Sequence, residues 1–247
     1  MPLPKALRLI REASSMAIPR IILFGGEPLL YPHLEEVMRC AAGLGLFVEL
    51  DTNGLAASAT TLERLARAGL CALRVSLHSS VAKRHDALQR RAGSFDAVRK
   101  VVRAARKAGL LAYLSTCVFN ETLDNDDVNG IAALARKWGA SGIRMISYAP
   151  IEGETSAKHA ARTLLLASQI VAKNQTPPVQ TCLPEADSSD CVATLGHQIY
   201  IAPSGDISIC PYARKPLGNV RSASLRKFWR AQTASLRPKK RYPCCLS

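Results

Sequence analysis

The feature that most constrains this chain is an alternation of two periodicities. From Leu7 to about Val171, short β-branched runs take turns with stretches whose apolar residues recur every three to four positions. The runs at Arg20–Phe24, Leu46–Leu50, Leu73–Leu77, Leu110–Val118 and Ile143–Ser147 predict strands, and Pro32–Ala42, Thr60–Ala68, Phe95–Ala108 and Asn125–Trp138 predict the helices between them. A further helix is predicted at Lys5–Met16, with no strand before it. Gly43, Gly69, Gly109 and Gly139 stand where helices would end, since a left-handed terminus favours glycine. Such alternation implies a parallel sheet with right-handed crossovers. In sheets of that kind ligands bind beyond the carboxyl ends of the strands.

Those ends are polar. They carry Gly25-Gly26-Glu27-Pro28, Asp51-Thr52-Asn53-Gly54, Ser76-Leu77-His78-Ser79 and Thr116-Cys117-Val118-Phe119-Asn120. Two adjacent glycines let a backbone approach a ligand closely, and free peptide groups at a strand end can bond an ammonium and a carboxylate. Near Lys173-Asn174-Gln175-Thr176-Pro177-Pro178 the pattern breaks into a linker. Beyond it lie five of the eight cysteines, a hairpin (Gln198–Ala202, a turn at Pro203-Ser204-Gly205, then Asp206–Ile209) and a helix around Ser224–Ala231. The expected organisation is an α/β domain over 1–172 and a small cysteine-rich domain over 173–247.

No apolar run approaches the ~20 residues that span a bilayer, and the N-terminus lacks the parts of a signal peptide. A cytoplasmic location is therefore expected. There, eight cysteines favour metal ligation or core packing over disulfides. The formal charge of +14, from 33 Lys and Arg against 19 Asp and Glu, gives a field that attracts acidic partners. Its strongest run lies between Lys83 and Lys107. Aromatic residues make up only 5% and do not interleave with the basic ones, so a base-stacking nucleic-acid surface is not expected.

The stretches Phe24–Leu30, Asp51–Gly54, Val75–Ser80, His85-Asp86 and Gly93-Ser94-Phe95 resemble, in order and spacing, the radical SAM proteins. The resemblance implies a partial, open (β/α) barrel whose first strand is missing. It also implies that Gly25, Gly26 and Glu27, followed by Pro28, contact the methionine amino group of S-adenosylmethionine. Ser76 and His78 would approach its carboxylate or ribose, and Asn53 and Thr116 would line the same cavity. Where many relatives carry an arginine four residues past the histidine of His85-Asp86, this chain has Gln89.

Cys191 and Cys210 bracket Gly205 in the spacing C-x13-G-x4-C, which resembles the auxiliary-cluster modules of that family, called SPASM or twitch. By that resemblance Cys191, Cys210, Cys244 and Cys245 would hold an auxiliary [4Fe–4S] cluster, with Cys182 in reserve. Four thiolates suit such a cluster, and they suit zinc equally.

In that family a loop with cysteines spaced C-x3-C-x2-C precedes the glycine turn and holds the reactive cluster. Here the first cysteine is Cys40, in a predicted helix; Cys71 and Cys117 do not complete a triplet. Intact relatives use a reduced cluster to cleave S-adenosylmethionine, and the resulting 5′-deoxyadenosyl radical takes hydrogen from the substrate. Three readings follow: a radical SAM enzyme of peptides or small molecules whose cluster segment is encoded upstream; a non-catalytic SAM- or peptide-binding accessory protein with one metal site; or an ordinary barrel enzyme with structural zinc. The 247-residue chain is expected to be unable to cleave S-adenosylmethionine. Release of 5′-deoxyadenosine by the purified, reduced chain would overturn that expectation.

Overall fold

A computed structural model describes residues 1–118, 126–147, 165–170, 178–182, 198–211 and 215–234. By contacts the chain forms two compact units, Pro19–Tyr148 with Ala161–Cys182, and Met1–Ile18 with Ala149–Ala160 and Leu183–Ser247.

The first unit holds a six-stranded parallel sheet in the order β1 (Arg20–Leu23), β2 (Phe47–Thr52), β3 (Leu70–Ser76), β4 (Leu111–Val118), β5 (Gly142–Ser147) and β6 (Val179–Cys182). Helices α2 (Leu34–Gly43), α3 (Ala59–Arg67), α4 (Ala82–Leu88), α5 (Ser94–Lys107) and α6 (Asp127–Trp138) connect consecutive strands. This is the expected α/β partial barrel. Spatial order follows chain order because each crossover returns the chain beside the strand it left. The predicted elements form with ends displaced by one to three residues; α2 runs through Gly43, and the left-handed glycine after it is Gly45. Among the described residues of this unit, elements that escaped the sequence reading include α4, hidden in a basic run, and β6, which follows Pro177-Pro178.

Side chains alternate across the sheet, and the two faces differ in kind. One face carries Val48, Leu50, Leu73, Val75, Leu77, Leu114, Val118 and Met145, all fully buried, and meets the helices through residues such as Leu62, Val98, Val102 and Ile131. The other face carries charge. Register sets Arg74 of β3 opposite Asp51 of β2, and Arg144 of β5 opposite Ser115 of β4. Arg74 pairs with both Glu49 and Asp51; Arg20 reaches Glu49 at 3.3 Å, and Arg144 Nη1 donates to Asp51 Oδ2 at 2.9 Å. Burial raises the Asp51 carboxyl above its ordinary value, and Arg144 partly offsets that push. Gly142 gives Tyr113 room to lie across β5, since a Cβ there would come within 2.5 Å of the ring.

In the second unit, α1 (Leu3–Ser15) packs with a three-stranded antiparallel sheet, β7 (Tyr200–Ile201), β8 (Asp206–Ser208) and β9 (Gly218–Asn219), and with α7 (Leu225–Ala234). Leu9, Ala13, Ile207, Val220 and Leu225 form the core. Glu12 Oε2 accepts the Leu225 N–H at 2.6 Å and Arg8 Nη2 donates to the Val220 carbonyl at 2.9 Å, so the first helix satisfies backbone groups near the C-terminal end of the unit. Among the described residues no helix is long and apolar enough to cross a membrane.

Removing Arg74 leaves Glu49 and Asp51 as uncompensated charges in a largely buried place. Arg74→Met is expected to cost about 3–5 kcal/mol, read as a lowered urea midpoint; a change below about 0.5 kcal/mol would show that the pairs are solvated.

Candidate functional site

The chain leaves β1 through Phe24 into Gly25 and Gly26, at φ +94° and +57°. Both values lie in the left-handed region, where an L side chain is strained. A Cβ built on either glycine meets nothing within 4 Å, so this backbone borders open space. The 3₁₀ turn Pro28–Leu30 follows, and its cap is Glu27.

The Glu27 carboxylate is fully engaged. Its Oε1 accepts from Thr52 Oγ1 at 2.6 Å and Leu29 N at 3.2 Å, and its Oε2 accepts from Asn53 N at 2.9 Å. Thr52 Oγ1 in turn accepts Gly54 N, and Asn53 Oδ1 accepts Leu55 N at 2.8 Å. Glu27 therefore ties the glycine turn after β1 to the carboxyl end of β2. Through its side chain it braces the turn.

His78 stands two residues past Ser76, on the charged face of the sheet. Its Nδ1 accepts Cys117 N at 3.2 Å, and its own backbone N–H donates to His85 Nδ1 at 3.2 Å. Each Nδ1 is thus an acceptor, which leaves the hydrogen of each neutral ring on Nε2. Burial pushes His78 down to about 4, helped by the neighbouring His85. His85 is fully buried, its pKa lowered by desolvation against the pull of Asp86, and among the described residues its Nε2 has no hydrogen-bond partner. Asp86 accepts from Phe95 N and Ser94 Oγ, both at 2.8 Å, and from Gly93 N at 2.7 Å, which holds its carboxyl below the usual range and caps α5. Cys117 lies on the same sheet face as Ser115, and burial raises its thiol.

The residues singled out from the sequence separate accordingly. Gly25, Gly26, Glu27, Pro28 and Asn53 form one connected turn system, and Ser76 and His78 lie on β3 and its extension. Thr116 lies elsewhere. It alternates with Ser115 and Cys117 on β4, is fully buried on the helix-facing side opposite Met145, and spends its hydroxyl on the Cys117 carbonyl at 3.3 Å. Phe119 and Asn120 fall outside the described residues, as do Cys191, Cys244 and Cys245. Cys210, just past β8, is buried. Asp127 was missed by sequence reasoning. It is buried and accepts from Ser79 Oγ, Ser80 N and Ser80 Oγ, yet 47 residues of chain separate it from Ser80 and no local pattern marks it.

An open backbone cradle, a neutral imidazole N–H and a nearby serine suit a small ligand with ammonium and carboxylate groups, and so fit S-adenosylmethionine. Among the described residues no group of three or more His, Cys, Asp or Glu side chains is placed to hold a metal ion.

Residues 1–134 match the family model described as the radical SAM superfamily, and residues 191–247 match that of an iron–sulfur cluster-binding domain. Over 254 residues the chain is 25% identical to an AdoMet-dependent heme synthase of Methanosarcina barkeri, covering 91% of this chain and 72% of that protein. Over 251 residues it is 26% identical to a PqqA peptide cyclase of Xanthomonas euvesicatoria, covering 93% and 66%. Among solved structures, SuiB of Streptococcus suis bound to S-adenosylmethionine aligns with a TM-score of 0.76 at 15% identity, over 100% of this chain and 64% of that one. SuiB bound to precursor peptide SuiA aligns at 0.73 and 14%, over 100% and 63%. The chain therefore spans slightly under two thirds of the peptide cyclase and of SuiB, and the structural likeness at such identity is one of fold. The two matched domains imply S-adenosylmethionine and iron–sulfur clusters as cofactors.

The histidine pair makes folding sensitive to acid. An unfolded histidine takes up its proton near 6.5, whereas folded His78 does so only near 4, so stability present above pH 6.5 is lost as pH falls toward 4. At about 1.4 kcal/mol per unit, the His78 share is about 3 kcal/mol. Urea midpoints between pH 7 and pH 4 should show this slope, and His78→Gln should flatten it; an unchanged slope in that variant would exclude His78 as its source.

Proposed function

Because this chain belongs to the radical SAM superfamily, we propose that it binds S-adenosylmethionine at the carboxyl ends of β1 to β3 and serves the modification of a peptide. The carrying observation is the Gly25-Gly26 turn, whose left-handed backbone borders open space while Glu27 braces it from beneath. When bound, S-adenosylmethionine and a reduced iron–sulfur cluster supply one-electron cleavage of a sulfonium bond, chemistry that belongs to the cofactors. The share of this chain is to bind and orient. The peptide groups of Gly25 and Gly26, with the backbone of Glu27, take the methionine ammonium, and Pro28 fixes where the turn begins. Ser76 and His78 meet the carboxylate or ribose, with Asn53 alongside. Thr116, turned toward the helices, takes no part.

The division expected at 172/173 is displaced by β6 (Val179–Cys182), which joins the parallel sheet; beyond it, Cys191, Cys210, Cys244 and Cys245 are proposed as thiolate ligands of an iron–sulfur cluster. A peptide substrate is supported by the relatives, since the peptide cyclase acts on PqqA and SuiB binds its precursor SuiA. An acidic peptide is supported by the helix layer. Lys83, Arg90, Arg91, Lys100, Arg103, Lys107, Arg136 and Lys137 are exposed there, and among the described residues none pairs with a carboxylate.

Calorimetry tests the reading. Gly26→Val is expected to weaken S-adenosylmethionine binding at least about tenfold, because a β-branched residue resists φ +57°. Equal affinity in a folded variant would remove the turn from the site. Iron with equimolar labile sulfide is expected in the reconstituted chain, whereas zinc without sulfide would overturn the cluster assignment.

A further inference from the structure

We propose that Asp127 on α6 and His85 on α4 are positioning residues that hold His78 in a single tautomer, so that its Nε2–H faces the ligand at the carboxyl ends of the strands. The proposal rests on the reading of His78 as a ligand contact.

The turn between β3 and α4 is held from three sides. Leu77 N–H still belongs to the sheet and donates to the Ser115 carbonyl at 2.8 Å. One residue on, His78 N–H donates to His85 Nδ1. Asp127 Oδ1 then accepts from Ser79 Oγ at 2.9 Å, Ser80 N at 3.0 Å and Ser80 Oγ at 2.7 Å, with Arg84 Nη2 at 3.1 Å. Ser79 Oγ accepts Val81 N at 3.0 Å, which starts α4. Asp127 and Ser79 are both buried, so these bonds are made away from competing water.

Helix α6 lies flush against this turn. A Cβ on Gly130, one turn past Asp127, would come within 2.4 Å of both Ser80 Cβ and Oγ. Glycine is disfavoured inside a helix relative to alanine, and the close approach requires it here. On the other side the His85 ring meets Phe95 edge-on at 6.1 Å, and Phe95 meets Trp138 at 5.4 Å. Helices α4, α5 and α6 thus converge on one short turn.

What they hold in place is the backbone of His78. With that backbone fixed and Nδ1 accepting Cys117 N, the ring hydrogen sits on Nε2. This atom has no partner among the described residues. Burial keeps the ring neutral at pH 7, so it presents a directed donor and no net charge. Such a donor suits an acceptor oxygen of a carboxylate or a ribose. If the turn loosens, the ring rotates and both tautomers compete.

The chain has five histidines, so ¹⁵N-histidine NMR of the full chain can read each tautomer. Wild-type His78 is expected to show Nδ1 unprotonated and Nε2 protonated. Asp127→Ala and His85→Leu should each give averaged tautomers and about tenfold weaker S-adenosylmethionine binding. His85→Gln, whose amide oxygen can accept the His78 N–H, should restore both. Should the first two variants not fold, Ser80→Ala removes one donor to Asp127 with little change in packing and is expected to shift the tautomer balance in the same sense. A single Nε2–H tautomer persisting in the folded variants overturns the proposal, because a merely structural role lowers the melting temperature without moving the ring nitrogens. Wild-type S-adenosylmethionine affinity in His78→Gln would instead overturn the ligand reading, and the tautomer result would stand apart from it.

Discussion

Arg74 sits between two carboxylates on a face of the sheet where a parallel fold ordinarily carries apolar side chains. Everything on that face depends on its being there. Glu49 and Asp51 cannot be buried singly, since an unpaired buried charge is costly. Flanked by Arg74, and extended by Arg20 and Arg144, they form a chain of charges across β1, β2, β3 and β5. The sheet can then keep one face polar while the other is packed by helices. The balance is incomplete in one detail: Arg74 Nε lies 2.9 Å from Asp51 Oδ1 as an ion pair but off the hydrogen-bonding direction, so that oxygen makes no hydrogen bond.

Carboxylates near the strand ends act as struts. Glu27 joins the glycine turn to β2, Asp86 joins α4 to the start of α5, and Asp127 joins the β3–α4 turn to α6. Each accepts three or more bonds from backbone N–H or hydroxyl groups, an arrangement that fixes geometry.

Much of this was legible in the sequence. The five strands read from β-branched runs are present, because their periodicity is a local property and burial on one face enforces it. The glycine turn was legible because two adjacent glycines after a strand mark a backbone no other residue adopts easily. Thr116 was misplaced because a polar residue at a strand end looks the same whichever face it takes, and face is fixed by register with the next strand. Strand β6 escaped because it is only four residues long and directly follows Pro177-Pro178, which reads as part of a linker. Glu27 was identified correctly as part of the turn, but its carboxylate is spent on Thr52, Leu29 and Asn53, which only packing reveals.

By itself the sequence determined the alternation of strands and helices, the family of the chain and the backbone shape of the glycine turn, since each rests on local sequence pattern or on the stereochemistry of glycine. Tertiary structure decided which polar side chains are free and which are consumed. It brought Asp127 to Ser79, His85 to His78, and Glu12 of the first helix to the N-terminus of α7. The physical reason is that a hydrogen bond depends on distance in space, and residues far apart along a chain acquire a distance only when the core that both helix layer and sheet share has formed.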